Sequence, residues 1–166
     1  MIQGGFAVAD SATWPAAEAP LVLAEFLPYR FSILGERLSR AFGARYGSAF
    51  GLGIPEWRVM AVLGERRQCS TRQVIEQTEM DRVKVSRAVT RLADMALVAQ
   101  TTVPGDRRAH LLSLTRRGHG IYRDIVPIAR SLQAEFVAVL DAQELLALDV
   151  ILTKLHACAG RLGETG

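Results

Sequence analysis

The stretch from Ser70 to Thr115 leaves this chain few ways to fold. It reads, in order, STRQVIEQTEM, DRVKVSRAVTRLADMALVAQ and TTVPGDRRAHLLSLT. Ser70 and Gln73 have the S-x-x-Q spacing of a capping box, in which two side chains satisfy free backbone N–H groups reciprocally. The spacing predicts a short helix from Thr71 to about Gln77, with Val74 and Ile75 as its apolar contacts. Thr78-Glu79-Met80 leaves room only for a tight turn. Asp81 then caps a second helix and sets negative charge at its positive end. Two helices joined by so short a turn form a helix-turn-helix.

The second helix has two unlike faces. Val85, Ala88, Val89, Leu92 and Ala96 recur at helical spacing and make an apolar stripe that faces a core. The other side carries Arg82, Lys84, Ser86, Arg87, Thr90 and Arg91, and Arg72 of the short helix joins this set. Guanidiniums, an ammonium and short hydroxyls are the groups that bond phosphates and guanine edges. A solvated basic face is the alternative. Downstream, Leu97–Val103 and His110–Leu114 read as strands around Pro104-Gly105-Asp106-Arg107-Arg108. Pro-Gly is a turn signal. Adjacent guanidiniums on a hairpin tip repel one another unless an anion such as the minor groove sits between them. Asp106 can bond back to the backbone or hold an arginine in place, and a solvated tip is the alternative for the arginines. The expected DNA contacts are therefore Arg72, Arg82, Lys84, Ser86, Arg87, Thr90, Arg91, Asp106, Arg107 and Arg108.

Charge distribution agrees with this. Residues 58–117 hold 12 Lys and Arg against 6 Asp and Glu, and the rest of the chain holds 8 against 11. The positive charge is concentrated on the segment assigned to nucleic acid. Forty-nine percent hydrophobic residues suffice for a core in 166 residues. Cys69 and Cys158 lack ligand spacing and a disulfide framework, so a reducing, cytoplasmic setting is expected. The first twenty residues have neither a basic leader nor a long apolar run, and they read as a mobile arm rather than a signal or membrane span.

Outside the central stretch the pattern is helical. Leu27, Phe31, Leu34, Leu38 and Phe42 make one stripe in a helix expected over Leu21–Gly47, with Pro28 kinking or restarting its beginning. Gly47–Gly53 reads as a loop, and Pro55 opens a helix to about Glu65. Thr115 caps a helix to about Leu140 with Ile121, Ile125, Ile128, Leu132, Phe136 and Val139 as its stripe, and Pro127 predicts a bend. Asp141 and Glu144 cap a last helix bearing Leu145, Leu148, Leu152, Leu155, Ala159 and Leu162. These stripes exceed what a small winged domain covers, which points to a twofold homodimer. A closed monomeric bundle is the alternative. The expected fold is mainly α with a small β-hairpin wing: an arm over 1–20, a dimerisation helix and loop over 21–53, a winged helix-turn-helix over 54–115, and C-terminal dimerisation helices over 116–166.

The order of these motifs resembles the multiple-antibiotic-resistance regulator (MarR) family of bacterial transcription factors. The matching residues are Ile54-Pro55-Glu56-Trp57-Arg58-Val59-Met60, Val83-Lys84-Val85-Ser86-Arg87, Leu92 with Leu97-Val98, the D-x-R wing motif Asp106-Arg107-Arg108, and Leu114-Thr115 followed by Gly118. The resemblance covers about residues 21 to 162. It implies a dimer on double-stranded, palindromic operator DNA, often acting as a repressor released by a small-molecule effector such as an aromatic acid or its thioester. Two positions depart from the family. Ala96 stands where a glycine is usual, so the recognition helix is expected to end by a geometry other than the left-handed one. Val74-Ile75 replaces a usual Leu-Ala pair, which implies slightly wider helix packing.

The resemblance also implies an effector pocket between the dimer helices and the winged module. Tyr29, Arg30, Ser32 and Leu34, with Trp57, Arg58 and Met60, are placed to line it, since arginine beside aromatic side chains suits an aromatic carboxylate. Core positions for Trp57 and Met60, and ion pairs for Arg30 and Arg58, are the alternatives. No cofactor or metal site is expected, and His110, His119 and His156 stand apart from other ligand residues. No nucleophile constellation suggests an enzyme. Two other functions stay open: a winged-helix module that binds protein instead of DNA, and a cysteine-based redox regulator. Cys69 lies near a helix N-terminus that can lower a thiol pKa, against which stands a buried, inert thiol.

Overall fold

A computed structural model describes residues 21–103 and 106–164, without the side chains of 103, 106–109, 163 and 164. The expected arm over residues 1–20 lies outside the described residues. Among the described residues, six helices and three strands follow in the order α1 (Leu27–Phe50), α2 (Ile54–Arg66), β1 (Gln68–Ser70), α3 (Thr71–Thr78), α4 (Arg82–Asp94), β2 (Val98–Val103), β3 (Asp106–Leu114), α5 (Arg116–Val137) and α6 (Ala142–Glu164). The fold is mainly α with one small antiparallel sheet, as expected. The chain divides into two units, one ending at Leu38 and the other beginning at Ser39, so that α1 starts in the first and ends in the second.

Side chains start these helices where the sequence places them. Ser70 N donates to Gln73 Oε1 at 2.8 Å and Gln73 N to Ser70 Oγ at 3.3 Å, which completes the capping box of α3. Glu79 takes the left-handed conformation after α3, and its N–H returns to the Ile75 carbonyl at 2.9 Å. Asp81 Oδ1 accepts from Lys84 N at 2.8 Å to open α4. Thr115 Oγ1 accepts from Gly118 N at 3.0 Å to open α5. Asp141 and Glu144 cap α6 reciprocally. Pro28 restarts the chain at the second residue of α1, and α1 runs on through Gly47, so the expected loop shortens to Gly51–Gly53.

The core gathers Val85, Ala88, Val89 and Leu92 of α4 with Tyr46, Leu52, Val59, Met60, Leu63, Val74, Leu97, Leu112 and Ile125. Ala96 does not join that stripe; it is exposed. The expected departure at Ala96 is also overturned. Ala96 has φ +55°, with Leu97 N bonded to the Leu92 carbonyl and Ala96 N to the Ala93 carbonyl, both at 2.8 Å. That pair of bonds is the left-handed closure glycine usually provides. The buried Leu92 and Leu97 and the bond from Thr115 Oγ1 to the Ala96 carbonyl at 2.7 Å hold the alanine there.

The sheet has one strand more than the hairpin requires. Its order is β1-β3-β2, with Gln68 opposite Ser113, Val98 opposite Leu114 and Thr102 opposite His110. β1 is three residues long, too short for an alternating pattern to announce it. β3 begins at Asp106, not at His110, and Val103 pairs with Asp106 after a register shift. Arg107 and Arg108 therefore lie on a strand and not within the turn. Pro127 lies inside α5, where it leaves the Arg123 carbonyl without a helical donor. α6 is another matter. Of its described side chains only Leu148 is half-buried; Leu145, Leu146, Val150, Ile151, Leu152, Leu155 and Leu162 are all exposed.

Candidate nucleic-acid interface and effector cleft

The core stripe of α4 dictates what the helix shows to solvent. With Val85, Ala88, Val89 and Leu92 turned inward, Arg82, Val83, Lys84, Ser86, Arg87, Thr90 and Arg91 are all exposed. The cations among them are not equivalent. Lys84 Nζ lies 3.1 Å from Asp81 Oδ2, and Arg72 Nε on α3 lies 2.8 Å from Glu76 Oε1. Both pairs are exposed and weakly held. Arg82 and Arg87 have no ion-pair partner among the described residues. The Asp81 carboxyl sits below its ordinary range because it accepts bonds from Lys84, backbone N–H first and side chain second.

Arg91 is engaged differently. Its Nη2 donates to the Gly51 carbonyl at 2.8 Å, and its Nη1 stands 3.8 Å from Glu56 Oε1. Glu56 is a buried charged residue, and its other oxygen accepts from Gly53 N at 2.8 Å. One arginine thus ties the far end of α4 to the loop before α2. Arg91 is exposed on the same face as the other basic residues, but its guanidinium also bonds the protein. The wing residues Asp106, Arg107 and Arg108 have side chains outside the described residues. His110 is exposed on β3.

A cleft of about 260 Å³ opens between α2 and α3, lined by Trp57, Arg58, Ala61, Val62, Gln77 and Thr78. Trp57 is half-buried between two tyrosines, with ring centroids 5.2 Å from Tyr46 and 6.0 Å from Tyr122. Arg58 is exposed at its mouth. Met60 is not part of it: the side chain is completely buried on the core stripe of α2 with Val59 and Leu63, so its place as a pocket residue is corrected. Tyr29, Arg30, Ser32 and Leu34 stand exposed on the first turns of α1, in the other unit. Gln77 and Thr78, which also line the cleft, were not singled out from the sequence. The signal was there, since Thr78 falls at i+4 from the buried Val74 and shares its face of α3. The Tyr46 hydroxyl beside Trp57 is buried with no hydrogen-bond partner among the described residues, and burial pushes its pKa up.

The Cys69 thiol is buried in β1, and burial pushes its pKa up, with the Arg66 charge opposing. Desolvation outweighs the nearby positive charge, so the group favours the inert thiol over the thiolate.

Comparison with known proteins extends this picture. Residues 50–109 match the sequence profile of the MarR family. Over 96 residues the chain is 28% identical to the HTH-type transcriptional repressor NicR of Pseudomonas putida, which covers 58% of this chain and 61% of NicR. The aligned region thus spans about three-fifths of that relative. Among solved structures, a MarR/EmrR family transcriptional regulator from Acinetobacter sp. ADP1 superposes with a TM-score of 0.79 at 22% identity, covering 85% of this chain and 99% of the other. BpsR of Bordetella bronchiseptica, whose DNA binding is regulated by 6-hydroxynicotinic acid, superposes with a TM-score of 0.66 at 25% identity, covering 76% and 98%. The segment that carries the helix-turn-helix is thus similar to the MarR family, and the fold is that of solved MarR-type regulators.

Proposed function

We propose that this chain is a sequence-specific DNA-binding transcriptional regulator, a repressor released from its operator by a small aromatic acid. The observation that carries the reading is the outward face of α4, where Arg82 and Arg87 lack ion-pair partners among the described residues and stand beside exposed Ser86 and Thr90. Guanidiniums free of intramolecular pairing, next to short hydroxyls, suit a groove lined with phosphates and base edges. Arg107 and Arg108 on the wing strand are assigned to the adjacent minor groove. The partner is double-stranded palindromic DNA, bound by a homodimer whose recognition helices stand about 34 Å apart. The apolar side chains left exposed on α6 support the second copy.

The effector is assigned to the cleft between α2 and α3. Trp57 offers a ring face, Arg58 a carboxylate partner, and Gln77 and Thr78 polar groups for ring substituents. An effector of this class regulates BpsR, which supports the assignment.

The test is fluorescence anisotropy of the purified protein on DNA from its own upstream region and on scrambled DNA, over a salt series. Tight binding to the upstream duplex alone, falling steeply with salt, is expected. Release by 6-hydroxynicotinate or a related aromatic acid in the same assay, weakened by Arg58→Ala, is the expected effector response. Equal weak binding to both duplexes would reject the regulator reading.

A further inference from the structure

We infer that Val83 reads a thymine methyl group in the DNA that α4 enters, an assignment that rests on the regulator reading above. Val83 lies in the first turn of α4 and is 58% exposed, whereas Val85, Val89 and Leu92 of the same helix are buried. At about 100° per residue, Val83 points directly away from Leu92. Ser86, Arg87 and Thr90 follow it at i+3, i+4 and i+7 and are exposed on the same face. The centre of the outward face is therefore a branched hydrocarbon, with Arg82 and Lys84 on either side of it.

One exposed valine on an ordinary surface needs no explanation. The position of this one does. A solvated helix face gains nothing from valine, because β-branching lowers helix propensity and the methyl groups stay wet. In the major groove, thymine presents the C5-methyl among polar base edges, and small apolar side chains pack against it. Arg87 is one turn further along the same face, within the helix geometry that serves neighbouring base pairs. Val83 and Arg87 then form one reading unit, a methyl contact beside a guanine contact. The core does not compete for Val83, since the buried stripe lies on the opposite side of α4.

The experiment uses the full-length protein to select duplexes from a randomised pool, and then replaces each thymine of the selected sequence singly by uracil. Uracil keeps the base pairing and removes only the methyl. Binding of the wild type is expected to weaken about fourfold at one or more thymines, the loss of one buried methyl-sized contact. Val83→Ala, which removes the contact from both half-sites of the dimer, is expected to bind the thymine duplex about sixteenfold more weakly and to show no further loss with uracil at those positions. Alanine is the better helix former at this exposed site, so folding is not at risk. A uracil penalty of the same size in both proteins overturns the inference, as does a wild type insensitive to uracil everywhere. If the pool yields no preferred sequence, the regulator reading fails, and the valine assignment fails with it for that separate reason.

Discussion

Ala96 holds a conformation that suits glycine. Its φ of +55° places the Cβ against the neighbouring carbonyl, at an expense of about 1 kcal/mol for an L-residue. The position is exposed, so glycine would relieve the strain without opening a cavity. Ala96→Gly is expected to raise the melting temperature by about 3 °C in a calorimetric scan. Unchanged or lower stability would show that the unfolded chain's gain in freedom cancels the relief. Asp81 gives a residue-scale prediction of another kind. Its folded pKa is lowered by the bonds it accepts from Lys84. The cap therefore contributes stability above the ordinary aspartate pKa of about 3.9, and that contribution is lost as pH falls through the lower, folded value. Asp81→Asn keeps an acceptor but cannot titrate. Chemical unfolding at pH 3 and pH 7 should show a smaller acid loss in Asp81→Asn than in the wild type. An equal loss would mean that Asp81 does not contribute to the acid sensitivity.

At the scale of elements, α4 is fixed from both ends. Asp81 caps its start, and Arg91 ties its last turns to Gly51 and Glu56. If that tie positions the recognition helix, removing either partner should have the same consequence. Arg91→Ala and Glu56→Gln are each expected to weaken DNA binding and stability, and the double variant should lose no more than the worse single one, a coupling of about 1 kcal/mol. The salt dependence separates this from a phosphate contact. Arg91→Ala should leave the slope of log K against log salt unchanged, whereas Arg87→Ala should flatten it by about two units, one for each protomer, if it meets a phosphate. Independent, additive losses would return Arg91 to the list of DNA contacts. The sequence showed α3, α4 and the two wing strands because caps, periodicity and turn residues are local. It placed Arg91 with the DNA set because helical spacing cannot say where a long side chain bends. Met60 was placed in the pocket through the resemblance, and the core alternative is the one its burial with Val59 and Leu63 supports. β1 went unread because three residues carry no period and their partner is remote in sequence. Ala96 misled because the residue type predicted the conformation less well than the tertiary bonds around Leu97 and Thr115 do.

At the scale of the whole molecule, α6 stands without apolar cover among the described residues. The helix is well capped, yet Leu145, Leu146, Val150, Ile151, Leu152, Leu155 and Leu162 are exposed in a single chain. Leaving so many large side chains in water forfeits about 1.5–3 kcal/mol for each one that could be fully buried. Exposed apolar side chains in this number on one helix mark a surface that meets a partner. A second copy satisfies it most simply, since a twofold axis lets the same stripe serve both sides. The prediction separates the dimer from a lone chain with a greasy helix. Ile151→Glu with Leu155→Glu alters only side chains that are already exposed in the monomer. If the chain acts alone, the double variant should match the wild type in mass and stability, because each new charge stays in water. If two copies meet through α6, the wild type should sediment as a dimer at micromolar concentration and the double variant as a monomer. DNA affinity should then fall by at least tenfold, because one recognition helix alone forfeits the second half-site and the effective concentration that linkage supplies. A variant that stays dimeric and binds as well as the wild type would move the interface away from α6.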